Sequence, residues 1–217
     1  MSANDTAARV RPTPRHAADV TPKSDVPRLL IASRVIPSVV MLVLFVMSVA
    51  IIELMPAGVL RAWLCPVHHA QTIKDACARH EVDPMLACAV IKCESNWEED
   101  AASGAGAVGL MQLMPSTAGY LANIEDVDGD AYPTDQLADP RVNIEYGVAL
   151  LGRLDRSLDS RDAVIAAYNA GLGQANTWAA RSGEFKDAID FPETAAYLTR
   201  VNQYYDFYKR LYPNGIA

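Results

Sequence analysis

Three short motifs bring together residue types that could cleave a sugar chain. They are Glu94-Ser95, the segment Gly-Leu-Met-Gln-Leu-Met-Pro at 109–115, and Ala-Ala-Tyr-Asn-Ala-Gly at 166–171. Glu94 ends an apolar stretch, a setting that could raise a carboxyl pKa and keep the acid protonated. A protonated carboxylic acid can donate a proton to a glycosidic oxygen and then act as a base. The other two motifs offer an amide, thioethers and a Tyr-Asn pair, which suit a groove for N-acetylated sugars.

The elements that must position Glu94 are a predicted pair of helices. Residues at about 69–80 have a helical pattern, and Asp83 then places an N-cap before Pro84, at the first position of a second helix. That second helix is predicted to run just past Glu94, which therefore lies in its last turn. The glycine-rich residues 103–106 permit a sharp return of the chain toward Glu94.

The rest of the chain favours a mainly α fold. The Asp-Pro pair at 139–140 predicts the start of one helix, and Ser160 is a candidate cap for the next. Gly171 is expected to end that helix in the left-handed conformation. A last helix is predicted over about 192–211, and no run of alternating strands or internal repeat is present. The acidic residues at 98–100 are expected to form a solvated loop rather than to supply a second catalytic acid.

In order and spacing, the three motifs resemble the soluble-lytic-transglycosylase (SLT) domain, of the glycoside hydrolase family 23 type and related to goose-type lysozyme. The resemblance covers about residues 69–213. Further matches are Asn143-Ile144 with Gly147, and Glu193-Thr194 with Tyr197 and Val201. The fold that the resemblance implies is a mainly α, lysozyme-like catalytic domain. The apolar residues of the second motif could line the groove or could equally be core residues: Leu110, Met111, Leu113 and Met114.

The resemblance also implies roles for individual residues. Glu94 matches the single catalytic acid/base. The residues that match the substrate groove are Ser103, Gln112, Met114, Tyr168, Asn169, Glu193 and Tyr197. Gly147 and Val201 are expected to be packing positions. No cofactor and no metal is needed, and Asp126, Asp128 and Asp130 lack the glycine and final Glu of a calcium loop, so they are expected to form a polar turn.

The implied reaction is cleavage of the β-1,4 bond between MurNAc and GlcNAc in peptidoglycan. In such enzymes no second carboxylate serves as nucleophile, unlike the usual two-carboxylate scheme. The C6 hydroxyl of the muramyl sugar attacks its own C1, with the glutamate as base, and leaves a 1,6-anhydromuramyl end. Two alternatives stay open: hydrolysis, as in goose-type lysozyme, and a non-catalytic role in wall binding or assembly. General wall turnover and a task beside a secretion machine also both stay open.

The beginning of the chain predicts a membrane anchor. Residues 1–34 carry a net charge of +3 and form a predicted disordered cytoplasmic tail, whereas the remainder carries −10, which together give the total of −7. The run from Val35 to Ile52 has no charged residue and spans roughly 27 Å as a helix, enough for a bilayer core. We therefore expect a single-pass anchor over 35–58, a linker over 59–68 and a catalytic domain on the cell-wall side. A signal peptide cleaved near Ala50 is the alternative.

Four cysteines lie on the exported side of that anchor, where disulfides are expected. Their symmetry about the turn between the first two helices predicts nested bridges, Cys77–Cys88 and Cys65–Cys93. The four histidines all precede Cys88, which makes a Cys-His hydrolase improbable, and the ligand spacing does not suit zinc. The acidic body argues against binding nucleic acid.

Overall fold

A computed structural model describes residues 26–54 and 57–216, which divide into two units at Leu54. The first unit contains helix α1, Val26–Leu54. Its large apolar side chains from Val35 to Ile51 are exposed. Residues 26–34 therefore lie in a helix rather than in the predicted tail, whereas residues 1–25 are outside the described part of the chain. Among the described residues, no helix has the length and apolar character that crossing a bilayer requires.

The second unit is built from helices. They are α2 Ala57–Leu64, α3 Ala70–His80, α4 Pro84–Glu94, α5 Pro115–Asn123, α6 Pro140–Asp155, α7 Arg161–Ala170, α8 Leu172–Ala179, α9 Phe185–Ala188 and α10 Pro192–Leu211, with a 3-10 turn at Thr134–Gln136. The two longest connections lie between α4 and α5 and between α5 and α6. The mainly α prediction is confirmed. Helix α2 spans the predicted boundary between the anchor (35–58) and the linker (59–68). Its Arg61 donates to the carbonyl of Leu211 at 2.7 Å.

Local capping explains where several helices begin. The Asp83 carboxylate accepts from the backbone N–H of Met85 at 2.9 Å, and Pro84 occupies the first turn of α4. Asp139 and Ser160 cap α6 and α7 through their side chains, as predicted. Gly171 differs from the prediction: it has φ 88° and ψ 151°, which is not the left-handed helical conformation. This positive-φ conformation, which favours glycine, lets α8 begin immediately after α7.

Helix α4 forms the centre of the core, and α10 packs along it. Residues 87–91 of α4 are completely buried. The two helices are antiparallel, because Tyr205 of α10 donates to Asp83 at the start of α4, at 2.9 Å, while Tyr197 donates to Glu94 at its end. Apolar burial of this extent is the main stabilising contribution in a domain of this size. Glu94 is therefore held at the end of a helix that is buried in the core.

The segment between α4 and α5 contains two antiparallel β-bridges, which are the β-bridges found among the described residues. Val108 pairs with both Ala102 and Leu113. The backbone N–H of Gly109 donates to the carbonyl of Ala101 at 2.8 Å, which folds the loop back on itself. The glycine-rich stretch thus returns the chain as predicted, although by bridge pairing that the helical pattern did not indicate.

Candidate active site

Glu94 is a half-buried carboxyl group at the end of α4. The hydroxyl of Tyr197 donates to its Oε1 at 2.6 Å. Burial raises the pKa of Glu94 to about 7, although the Tyr197 hydrogen bond and the charge of Arg200 both act to lower it. Because Tyr197 occupies Oε1, the proton of the acid form belongs on Oε2. Glu94 can therefore hold a transferable proton near neutral pH.

Two tyrosines, Tyr168 of α7 and Tyr197 of α10, flank this carboxyl group. Tyr197 is 3% exposed, and burial raises its pKa well above the ordinary value. Burial likewise raises the pKa of Tyr168, whose hydroxyl donates to the carbonyl of Met111 at 2.8 Å. Both phenols consequently remain protonated hydrogen-bond donors. Both interact electrostatically with Glu94, and their contact with substrate stays a prediction.

Asn143 on α6 holds the loop that forms one side of the site. Its Oδ1 accepts from the N–H of Met111 at 2.7 Å, and its Nδ2 donates to the carbonyls of Val108 and Leu137, each at 2.9 Å. The side chain is fully buried, and each of these hydrogen bonds satisfies a group that would otherwise be costly to bury. Gly109, with φ 76°, leaves room for this amide, since an added Cβ would collide with it.

The segment 109–115 supplies both core and surface. Leu110, Met111 and Leu113 are at most 2% exposed, whereas Met114 is 38% exposed. Gln112 adopts φ 46° and donates both amide hydrogens to the carbonyls of Ala101 and Gly109, each at 3.0 Å. Its amide therefore shapes the loop, and only Met114 presents a large apolar surface at this position.

Asn169 and Thr194 form a second polar pair in the site. The buried hydroxyl of Thr194 donates to Oδ1 of Asn169 at 2.8 Å, which leaves the Nδ2 group of Asn169 as the outward-facing donor. Glu193, which directly precedes Thr194, is exposed, and no described residue hydrogen-bonds to its side chain. Ser103 is also exposed, and its hydroxyl accepts from the N–H of Ala107 at 3.0 Å. Their predicted substrate contacts remain predictions.

Two residues of α10 were missed by the sequence reasoning as site residues: Thr194 and Arg200. Thr194 matches the family pattern, but the sequence predicted no site role for it. Arg200 lies about one helical turn after Tyr197, with its guanidinium carbon 6.0 Å from the centre of the Tyr197 ring. The available signal was the i, i+3 spacing from a predicted site residue, which places both side chains on one helix face.

The structure contains all four cysteines as free thiols, so neither predicted bridge is formed in it. Cys65, Cys77 and Cys88 are at most 2% exposed, and burial raises the pKa of Cys77 to about 12. Cys65 and Cys77 act electrostatically on Cys88, whereas Cys93 interacts with Glu94 and Arg200. The surroundings of Cys93 are thus those of the active site, which disfavours the Cys65–Cys93 half of the pairing. The Cys77–Cys88 bridge stays a prediction.

Acidic residues outside the site have other partners. Asp126 forms an ion pair with Arg153 at 3.0 Å, and Oδ1 of Asp128 accepts from the backbone N–H groups of Asp130 and Ala131. These contacts describe a polar turn. Within the described ranges, no group of three or more His, Cys, Asp and Glu side chains is arranged to hold a metal ion.

Comparison with known proteins defines the class. The family model described as "Transglycosylase SLT domain" matches residues 71–191, more than half of the chain. The chain therefore belongs to the transglycosylase SLT domain family. It is 32% identical over 151 residues to the "Soluble lytic murein transglycosylase" of Escherichia coli K12, a match that covers 66% of this chain and 23% of that protein. It is also 38% identical over 134 residues to the "Transglycosylase" of Enterobacteria phage PRD1, with coverages of 61% and 43%.

Solved structures give the same fold. Lytic transglycosylase Slt from Pseudomonas aeruginosa, crystallised as an inactive mutant, superposes with a TM-score of 0.64 at 30% identity, over 70% of this chain and 25% of that one. The lysozyme-like expectation for the domain is confirmed. The chain spans about a quarter of the length of the Escherichia coli and Pseudomonas aeruginosa proteins.

Proposed function

We propose that this protein is a peptidoglycan lytic transglycosylase that cleaves the MurNAc–GlcNAc β-1,4 bond with Glu94 as its single acid/base. The observation that carries the proposal is the state of Glu94: burial raises its pKa to about 7 while Tyr197 hydrogen-bonds one of its oxygens. This arrangement keeps one oxygen, Oε2, available for proton transfer. The names of the relatives support the same reaction class.

In the first step Glu94 Oε2 donates its proton to the glycosidic oxygen as the bond to C1 of the muramyl sugar breaks. The leaving GlcNAc hydroxyl carries that proton away. Positive charge develops at C1, and the substrate's own acetamido group stabilises it. The outward-facing Nδ2 of Asn169 is suited to donate to the acetamido oxygen, because Thr194 occupies Oδ1.

In the second step the Glu94 carboxylate accepts the proton of the C6 hydroxyl, whose oxygen attacks C1. The product is a 1,6-anhydromuramyl end, and Glu94 is again protonated. Apart from burial, the groups that shift the pKa of Glu94 are Tyr197 and Arg200, and no second carboxylate does so among the described residues. The geometry therefore favours intramolecular transfer over a two-carboxylate mechanism.

Mass spectrometry of the products released from purified peptidoglycan tests this proposal. The expected products are anhydro ends, which are lighter by one water than hydrolysed ends. Hydrolysed ends would instead assign the protein as a lysozyme. Binding to the glycan without release of fragments would assign a non-catalytic role in the wall.

We also infer that residues 35–58 hold the protein at the cytoplasmic membrane, with the N-terminus inside and the SLT domain facing the cell wall. The inference rests on the uncharged run that starts at Val35 and on Arg28 and Arg34 before it. Alkaline carbonate extraction of membranes that contain the full chain provides the test. Retention in the pellet is expected, and release together with an N-terminus just after Ala50 would show cleavage instead. The peptidoglycan cleavage proposed above would serve either general wall turnover or a secretion machine.

A further inference from the structure

Arg200 is a cation beside Glu94 for which the proposed reaction has no task. It lies on the exposed side of α10, over the ring of the buried Tyr197. Its side chain hydrogen-bonds Cys93, and its charge acts on both Cys93 and Glu94 at the end of α4. The groups around Glu94 are therefore Cys93 on its own helix, Tyr168 from α7, and Tyr197 and Arg200 from α10.

The charge of Arg200 is not neutralised by the protein. Some arginines of this unit are ion-paired, namely Arg79 with Glu145, Arg153 with Asp126, and Arg181 with Asp190. Like Arg200, the described residues Arg61, Arg141, Arg161 and Arg210 form no ion pair, so it is the position of Arg200 beside Glu94 that distinguishes it. Arg200 forms no ion pair with any residue that the structure describes. An exposed guanidinium at the rim of a cleavage site presents a planar set of donors that fits a carboxylate.

We propose that Arg200 is a specificity-determining residue that binds a carboxylate of the peptide attached to the muramic acid unit at the cleavage point. The proposal rests on the transglycosylase function proposed above. Peptidoglycan peptides carry free carboxylates, whereas the intact glycan backbone of peptide-bearing strands carries none. Arg200 would thus select strands that still carry their peptides.

Binding of a carboxylate has a consequence for the acid. The charge of Arg200 lowers the pKa of Glu94 in the free enzyme. A bound carboxylate neutralises this charge, so the pKa of Glu94 rises once the substrate is in place. Glu94 consequently keeps its proton up to a higher pH in the enzyme–substrate complex, where it donates that proton, than in the free enzyme.

The test compares soluble glycan fragments that differ only in charge. One probe is a MurNAc-containing tetrasaccharide whose peptides have free carboxylates, and its partner has the same peptides as carboxamides. A third probe, stripped of peptide, exposes the lactyl carboxylate of muramic acid. The kcat and KM of the full chain are measured for each probe as a function of pH.

Wild-type protein is expected to favour the free-carboxylate probe over the carboxamide by about tenfold in kcat/KM, as for one hydrogen-bonded charge pair. Arg200→Gln abolishes this preference, and Arg200→Lys retains part of it. The matched control is Arg210→Gln, which removes an exposed arginine far along the same helix and leaves the preference unchanged.

The pH profiles provide a second, independent readout. The high-pH limit of kcat reports the enzyme–substrate complex, and that of kcat/KM reports the free enzyme. With the free-carboxylate probe, the high-pH limit of kcat in wild type is expected to lie at a higher pH than that of kcat/KM. In Arg200→Gln the two high-pH limits are expected to coincide. An equal loss on the charged and amidated probes, or a gap that persists in Arg200→Gln, would overturn the proposal.

A preference confined to the stripped probe would also overturn it, because the ligand would be the lactyl carboxylate. Failure of the proposed function is distinguishable from all these outcomes, because wild type would then either cleave none of the three probes or release hydrolysed ends instead of anhydro ends.

Discussion

Glu94 and Glu145 are two glutamates withdrawn from solvent in the same domain, and their surroundings shift their pKa values in opposite directions. Glu145 on α6 lies between Arg79 and His80 at the end of α3, with Nε of Arg79 3.1 Å and Nε2 of His80 2.9 Å from its Oε1. Burial raises the pKa of Glu145, but these hydrogen bonds outweigh it and lower the pKa below the ordinary value. Glu94 has Tyr197 as its hydrogen-bond donor, and its pKa rises to about 7.

The comparison shows that burial alone does not make a catalytic acid. A buried carboxylate that accepts hydrogen bonds from an arginine and a histidine stays ionised and joins two helices, in this case α3 and α6. A buried carboxyl group with one neutral donor keeps its proton and remains able to give it away. The two glutamates should therefore respond to substitution in opposite ways.

The largest expected effect is on catalysis by Glu94. Glu94→Gln removes the proton donor and is expected to reduce the rate of peptidoglycan cleavage by about 10²–10⁴-fold, the usual range for a general acid or base. Turbidity loss of purified peptidoglycan measures the rate. Cleavage by Glu94→Gln at the wild-type rate would assign the acid to another residue.

The same variant should be more stable than wild type at alkaline pH. Because the folded-state pKa of Glu94 is raised, its contribution is fully present below the unfolded pKa of about 4.5 and is lost as the pH rises toward 7. Glutamine has no such dependence. Urea unfolding should therefore show a stability gain for the variant that grows with pH, by at most about 3 kcal/mol.

The next largest effect is on stability at Glu145. Glu145→Gln leaves Arg79 and His80 without their carboxylate and is expected to lower the free energy of unfolding by about 2–4 kcal/mol at neutral pH. Since the folded-state pKa of Glu145 is lowered, its contribution exists above the unfolded pKa and disappears as the pH falls. The penalty should therefore shrink toward acid pH, opposite to the trend for Glu94→Gln.

Glu99→Gln is the matched control for this variant. It removes the exposed pair between Glu99 and His69, whose side chains are 55% and 30% exposed, so less than about 1 kcal/mol should be lost. Equal losses for the two variants, measured by urea unfolding, would contradict the structural role of Glu145. The folded fraction of Glu145→Gln should retain wild-type cleavage activity.

The smallest expected effect concerns the hydrogen bond that Tyr197 donates to Glu94. Tyr197→Phe removes the donor that lowers the pKa of Glu94, so the high-pH limit of kcat/KM should move to higher pH. The rate at its optimum should fall by about tenfold, because the carboxyl group is less well oriented. Tyr204→Phe on the same helix, which packs against Phe207, is the control. A limit that stays in place would show that Tyr197 does not act on Glu94.

The sequence predicted helices α3, α4, α6, α7 and α10, because their signals are local, but it did not predict α2, α5, α8 and α9 individually. The first residues of α4, α6 and α10 follow from Asp-Pro and Pro positions, and the ends of α3 and α10 lie within a residue or two of the prediction. Gly171 was assigned the wrong conformation because a helix begins directly after it, which no local pattern indicates. The β-bridges around Val108 were missed because single bridges do not produce an alternating pattern.

By itself, the sequence determined that Glu94 ends a capped apolar helix and that motifs typical of the SLT family follow it. Capping and apolar periodicity act between near neighbours, so they are legible in the chain. Only the tertiary structure decided which side chains reach that carboxyl group. Tyr197 and Arg200 approach Glu94 from more than 100 residues away because α10 packs antiparallel to α4. Tertiary packing likewise buries Met111 against Gly147 of α6 while Met114 stays exposed, and it raises the pKa of Glu94 while Glu145 remains a salt-bridged carboxylate.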